Sequence, residues 1–178
     1  YHGIEIDRAD WSRFESRIEV GTGRLLDLLD EAATRATFFV LGAAAEGAPD
    51  LVREIAHRGH EIATHGYGHD FVYDLGQENF RADLERSLEV LAGLVTNTVR
   101  GYRAPYFSIT RRTPWAHEVL RDCGIQYDSS VFPVHNYRYG IPDAPRFAHE
   151  VIPGLLELPP STWRVAGRNV PVAGGAYF

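Results

Sequence analysis

The chain has 178 residues, 44% of them apolar and 24% charged, with a net charge of −6. That is an ordinary globular profile with enough residues for one sizeable core, and it recommends neither nucleic acid nor an anionic membrane as a partner. No apolar run is long enough to span a bilayer, no basic segment leads into a signal-like apolar stretch, and the lone Cys123 excludes an internal disulfide and a cysteine-based zinc site.

Helix-like and strand-like segments alternate. The spacing predicts a helix from Ile18 to Ala33, with Leu25, Leu26, Leu28 and Leu29 on a wide apolar face. Ala36 to Leu41 is a short β-branched and aromatic run closed by Gly42, as in a buried parallel strand. Pro49 to Arg58 reads as a helix with proline in its first turn and Gly59 past its end. Glu61 to Thr64 is the next strand. Gln77 to Val95 is the clearest helix, because Phe80, Leu84, Leu88, Leu91 and Val95 recur at three- and four-residue steps.

Thr98 to Ala104 reads as a strand. Thr113-Pro114 opens a further helix, with threonine as N-cap, that ends near Gly124. Ile125 to Tyr127 is a strand running into Asp128-Ser129-Ser130. Residues 132–153 read as loop, carrying Pro133, Pro142, Pro145 and Pro153, and Leu155 to Leu158 returns to strand. Short connections between alternating elements predict an α/β fold with a largely parallel sheet, in one domain spanning residues 1–178. Pattern alone does not separate a barrel from an open sheet. In both, functional residues collect at the C-terminal ends of strands.

Three polar clusters fall at three successive strand ends. The first is His65-Gly66-Tyr67-Gly68-His69, two imidazoles four residues apart. On a helical turn that spacing puts both rings on one face, able to aim at one ion. Two ligands do not complete a catalytic zinc site, which uses three and keeps a position open. The second cluster is Arg103-Ala104-Pro105-Tyr106 and the third is Asp128-Ser129-Ser130. A His pair at this spacing is more often two surface histidines; its place at a strand end argues for a site. His57, His60, His117, His135 and His149 lack that context and read as surface or structural residues. Cys123 reads as a buried, inert thiol.

These clusters, together with Thr37-Phe38-Phe39, Gly59-His60-Glu61 and Gly101-Tyr102 before them, resemble the polysaccharide deacetylase family with the NodB-type domain. Tyr139-Gly140-Ile141-Pro142 and Gly167-Arg168-Asn169 resemble a subgroup encoded beside bacterial exopolysaccharide and exosortase systems. The resemblance implies a distorted (β/α) barrel and a divalent metal, most often zinc. It also implies hydrolysis of N-acetyl groups on amino sugars of a polysaccharide or oligosaccharide. By motif match it makes His65 and His69 the metal-binding histidines. Arg103 would orient a catalytic carboxylate, Tyr106 would offer a backbone N–H to the oxyanion, and Pro105 and Asp128 would help form the substrate groove. Asp-Ser-Ser is also good turn chemistry, so Asp128 reads equally as a structural residue that caps the following turn.

The family's first motif, an aspartate-rich strand, supplies the base and the third ligand. By this alignment it precedes Tyr1, and the family's late acidic histidine follows Phe178. The expectation is an incomplete barrel, cut at both ends, with marginal stability and little activity alone. The rival alignment makes Glu5 or Asp7 the carboxylate, on a strand from Gly3 to Asp7. Two other readings differ in class: a non-catalytic carbohydrate-binding or scaffold domain, and an amidohydrolase acting on a small amide. Localisation stays open between bacterial cytoplasm and cell envelope.

Overall fold

In the computed structural model, residues 13, 16–136 and 138–172 are described. They fall into two compact units, Tyr1–Arg35 and Ala36–Phe178. In the first, helix α1 (Ile18–Glu31) covers most of the segment expected to be helical. Its buried face is narrower than expected: Leu26 is buried, while Leu25 and Leu28 are exposed.

The second unit is built on one six-stranded sheet. Its strands are β1 (Thr37–Val40), β2 (Glu61–Thr64), β3 (Gly101–Tyr102), β4 (Tyr127–Asp128), β5 (His149–Ile152) and β6 (Leu155–Glu157). The order across the sheet is β1-β2-β3-β4-β6-β5. All neighbours are parallel except β5, which runs antiparallel to β6 at the edge. This is the largely parallel α/β sheet the alternating pattern predicts, in the arrangement of an incomplete barrel.

The helices of this unit are α2 (Gly42–Gly47), α3 (Pro49–His57), α4 (Val72–Ala92) and α5 (Ala116–Asp122). A hairpin of β7 (Thr162–Val165) and β8 (Arg168–Pro171) forms a second, two-stranded sheet. No helix among the described residues is long and apolar enough to cross a membrane.

Local departures from the expected elements have identifiable causes. The helix expected from Gln77 begins at Val72, and Gly76 (φ 72°, ψ 171°) breaks it into a short turn and the main helix. Thr113 is not an N-cap: its hydroxyl accepts from Thr110 N and donates to Thr110 O, closing a turn, and α5 starts only at Ala116. The strand expected over Thr98–Ala104 pairs only at Gly101 and Tyr102. Residues 132–153, expected as loop, include β5; its prolines flank that strand and leave its N–H groups intact.

Buried Phe80, Leu84 and Leu91 of α4 follow the predicted helical step. Phe80 packs edge-on to Tyr102 of β3 and to Trp115, each with ring centroids 5.7 Å apart. Val119 and Leu120 of α5 and Leu155 of β6 belong to the same core.

The register sets up everything that follows. Val40, Thr64, Tyr102, Asp128 and Glu157 are successive partners across β1, β2, β3, β4 and β6. The ladder then runs one residue further: His65 N donates to Val40 O, Arg103 N to Thr64 O and Ser129 N to Tyr102 O. His65, Arg103 and Ser129 therefore emerge side by side at the C-terminal edge. The close β3–β4 approach depends on Gly101, where a Cβ would collide with the Tyr127 ring. Gly101→Ala should therefore lower stability by about 1–3 kcal/mol through overpacking. Chemical denaturation measures it; an unchanged midpoint would show that the ring moves aside freely.

Candidate active site

The segment after β2 is a tight loop. Gly66 (φ 77°) and His69 (φ 64°) both take left-handed backbone, so the two histidines do not sit on a helical turn as their spacing suggested. Asp83 of α4 clamps the loop with both carboxylate oxygens, accepting from Tyr67 N at 2.8 Å and Gly68 N at 2.9 Å. A side chain at Gly66 would meet that carboxylate at 2.7 Å, so glycine serves both the turn and the clamp. The loop carbonyls are satisfied as well, since Gly42 N donates to Gly66 O and Ala43 N to Tyr67 O. Tyr67 donates its hydroxyl to Glu46 and carries the Arg86 guanidinium 3.6 Å above its ring.

Within this frame the rings of His65 and His69 lie with centroids 5.3 Å apart. His65 Nδ1 is 2.7 Å from the carbonyl oxygen of Arg103. A carbonyl can only accept, so Nδ1 carries the proton and the Nε2 lone pair is left for a ligand. Burial lowers the His65 pKa to about 4, with the His69 and Arg103 charges adding to it and the bond to Arg103 opposing it. The ring is therefore neutral at pH 7, the form that binds metals.

Tyr106 closes the other side of His69. Its ring meets His69 edge-on at 4.6 Å and stacks on Phe71 at 4.3 Å. Tyr106 (φ 55°) and Phe107 (φ 53°) are consecutive left-handed residues, a conformation bulky side chains avoid unless the surroundings impose it. Phe107 N bonds to Ala104 O and Ser108 N to Pro105 O, but no protein acceptor takes the Tyr106 N–H among the described residues.

Arg103 is fixed from the neighbouring strand. Its Nε donates to Ser129 O at 3.1 Å and its Nη2 to Ser129 Oγ at 2.7 Å, while the guanidinium stacks over Phe39 at 4.1 Å. Asp128 and Pro105 are buried, so neither forms a groove wall as the motif match implied. Asp128 works from behind. Its Oδ1 accepts from the Ser130 hydroxyl, and Ser130 Oγ accepts from Ala104 N at 2.8 Å. That relay ties β4 to the segment bearing Pro105 and Tyr106.

Behind Asp128 lies a feature that sequence reasoning missed. Glu157 is its register partner on β6, fully buried, with Oε1 accepting from Val131 N at 3.0 Å. His117 brings Nε2 to 3.5 Å from Asp128 Oδ2 and is buried, the structural of the two places its sequence context left open. The three ligand-type atoms lie within 4.8 Å of one another. Two adjacent buried carboxylates need a cation or a proton to offset them. Without a cation, burial and then the Asp128 charge raise the Glu157 pKa far above the carboxylate range, so Glu157 holds the proton. The alternation of β6 placed Glu157 on the inward face with Leu155; that signal was in the sequence. Asp83 carried none, being one polar position among many on α4.

A family model described as Polysaccharide deacetylase matches residues 11–127, more than half of the chain. This chain belongs to the polysaccharide deacetylase family. A second model, Domain of unknown function (DUF3473), matches residues 129–178 of this deacetylase-family chain. Its β6 pairs with β4 of the first segment, so the two matches share one sheet.

The chain is 34% identical over 98 residues to a peptidoglycan-N-acetylglucosamine deacetylase of Bacillus cereus, covering 54% of this chain and 36% of that protein. It is 31% identical over 135 residues to a peptidoglycan deacetylase of Helicobacter pylori, covering 76% and 44%. Among solved structures, a Mycobacterium smegmatis protein assigned to the polysaccharide deacetylases superposes with a TM-score of 0.68 at 34% identity, covering 86% of this chain and 52% of that one. The chain thus spans about half or less of the length of these relatives.

Deacetylases of this family use a divalent metal. His65 and His69 suit one by donor chemistry: a neutral imidazole with a free Nε2 beside a second imidazole. Among the described residues no third His, Cys, Asp or Glu joins this pair. Glu5 and Asp7 lie outside the described residues.

The buried Glu157 gives a pH test. Its pKa is raised in the folded protein above the ordinary 4.5, so folding takes up a proton at neutral pH. The stability tied to that proton is present below 4.5 and is lost as pH climbs towards the folded value. Glu157→Gln removes the requirement. With a chelator present, its melting temperature relative to wild type should rise steadily from about pH 5 to about pH 9. A pH-independent difference would show that Glu157 is already ionised in the fold.

Proposed function

We propose that this chain carries the histidine and oxyanion face of a metal-dependent deacetylase that removes N-acetyl groups from amino sugars in a polysaccharide or oligosaccharide. The observation that carries this reading is the meeting of three strand-end features at one spot. A neutral His65 with a free Nε2 stands beside His69, and His69 touches Tyr106, whose backbone N–H has no protein acceptor among the described residues. The names of the Bacillus cereus and Helicobacter pylori relatives support an N-acetylated glycan as substrate.

His65 Nε2 and His69 would hold the metal, which we take to be zinc. When bound, such an ion lowers the pKa of water and polarises a carbonyl. The remaining roles fall to this chain's own groups. The Tyr106 N–H donates to the oxygen of the reacting amide as it gains charge, and the left-handed backbone holds that donor in place beforehand. Arg103, bonded to Ser129 and stacked on Phe39, presents a fixed cation that orients a carboxylate. The Asp128–Ser130–Ala104 relay keeps the donor segment at a set distance from the histidines.

A second reading keeps the fold and drops the chemistry. It makes the domain a non-catalytic glycan binder on the deacetylase fold. Zinc stoichiometry and acetate release from N-acetylated chitooligosaccharide separate the two. The deacetylase reading expects one zinc per chain at this site, lost in His65→Ala and His69→Ala. Any acetate release by the chain should fall at least about 100-fold in either variant, the scale of a lost transition-state contact. Chitooligosaccharide binding that ignores a chelator, with no zinc uptake and no acetate, would favour the binding module.

A further inference from the structure

The chain is acidic overall, at −6, yet one region of it is strongly basic. A cavity of about 1270 Å³ opens between residues 133–149 and the β7–β8 hairpin, and Arg146, Arg164 and Arg168 line it. A neighbouring cleft of about 530 Å³ shares Pro142 and Asp143 with it and adds Arg111, Arg112 and Arg138. Among the described residues Asp143 is the only carboxylate lining either, and Arg111 engages it. No carboxylate pairs with Arg146, Arg164 or Arg168 among the described residues.

The hairpin register shows that this is a built wall. Arg164 and Asn169 are direct cross-strand partners, so their side chains share one face. Asn169 Nδ2 donates to Pro133 O at 2.7 Å, which turns that face towards the cavity. Thr162, two residues before Arg164 on the same face, holds the Arg146 guanidinium through its hydroxyl at 3.0 Å and its carbonyl at 2.6 Å. A hairpin face turned inward would ordinarily carry apolar groups; here it carries Arg164 and fixes Arg146. Phe147 lies 5.5 Å from the Arg146 guanidinium and is 76% exposed, an aromatic face beside a fixed cation.

The two clefts also lead back to the histidine site. Tyr139 lines the smaller one, and its ring lies 5.9 Å from Phe107, the residue after Tyr106. A ligand lying along this path would meet aromatic faces and planar guanidinium groups in succession.

We propose that these adjoining clefts bind a carboxylated glycan, a polymer carrying uronate or similar acidic sugars, and that they extend the deacetylase site towards an acidic substrate. The choice of a sugar polymer rests on the deacetylase reading. The choice of an acidic one rests on the arginines. A carboxylate takes two parallel hydrogen bonds from a guanidinium, and a sugar ring lies flat on Phe147 or Tyr139. A cleft walled by one sign of charge focuses its field and draws in the opposite charge even when the whole molecule repels it. The combined length suits an extended chain better than a single small metabolite, whose pockets are about 300–1,000 Å³.

Calorimetry with oligogalacturonate and N-acetylated chitooligosaccharide, both six sugars long, tests this in the presence of a chelator. At about 10 mM salt, where the Debye length is about 30 Å, the galacturonate should bind at least about ten-fold more tightly and should weaken steeply as salt is added. The double variant Arg164→Ala/Arg168→Ala should lose about ten-fold of that affinity, 1.4 kcal/mol, with an unchanged melting temperature, and the double lysine variant should recover part of it. Equal affinity for the two sugars, or undiminished binding by the alanine variant, would overturn the proposal. So would equally tight binding of a single-stranded RNA of matched charge, which would mark a generic polyanion surface. His65→Ala/His69→Ala should bind galacturonate normally, so failure of the cleft and failure of the metal site are read separately.

Discussion

One hydrogen bond organises the candidate site: His65 Nδ1 to the carbonyl oxygen of Arg103, 2.7 Å across the ends of β2 and β3. It satisfies a strand-end carbonyl that the sheet no longer pairs. It fixes the ring's orientation and its tautomer, and so leaves Nε2 with a lone pair rather than a proton. It also makes the position of His65 depend on the segment that bears Tyr106. The histidine loop and the Tyr106 segment are then set relative to each other by one contact between neighbouring strands, with Asp83 holding the first from α4 and Ser130 holding the second from β4.

Polar groups that touch no substrate stand beneath that contact. Asp128 and Glu157 face each other across β4 and β6, Ser130 ties Asp128 to Ala104, and Ser129, donating to Leu158 O, accepts from Arg103. A buried polar network of this kind is costly unless it is satisfied, and His117 Nε2, Asp128 Oδ2 and Glu157 Oε2 have no hydrogen-bond partner among the described residues, which leaves them to a shared proton or a cation. Two consecutive left-handed residues, Tyr106 and Phe107, need such support, since neither conformation is favoured by its own side chain. The last strand partner, Glu157, lies within the 129–178 match, so that segment contributes directly to holding the site of the first.

Much of this was legible in the sequence, for particular reasons. β2 was read at its observed bounds because Gly59 and the histidine cluster bracket it, and the main part of α4 was read because its apolar residues keep the helical step. The three strand-end clusters were found because parallel α/β folds place function there. What escaped reading depends on tertiary placement. Gly76 leaves helical conformation where a short turn joins the main helix of α4 end to end, and the Tyr127 ring packs where Gly101 has no Cβ. The sequence leaves Asp128 open between a structural role and the groove, because its depth follows from β6 covering it, which no local pattern states. It leaves His117 open between surface and structure for the same reason. The histidine pair was expected on a helical turn, whereas the glycine-rich loop brings the rings together by left-handed backbone at Gly66 and His69.

The central claim is that His65 and His69 together bind a divalent metal through ring nitrogens whose geometry the Arg103 carbonyl sets. X-ray absorption at the zinc edge, on the zinc-loaded chain, addresses it directly. The account predicts two imidazole nitrogens at about 2.0–2.1 Å with the outer-shell pattern of histidine rings, both lost together in His65→Ala/His69→Ala. A zinc environment built of oxygen alone, or one unchanged in that double variant, would contradict it.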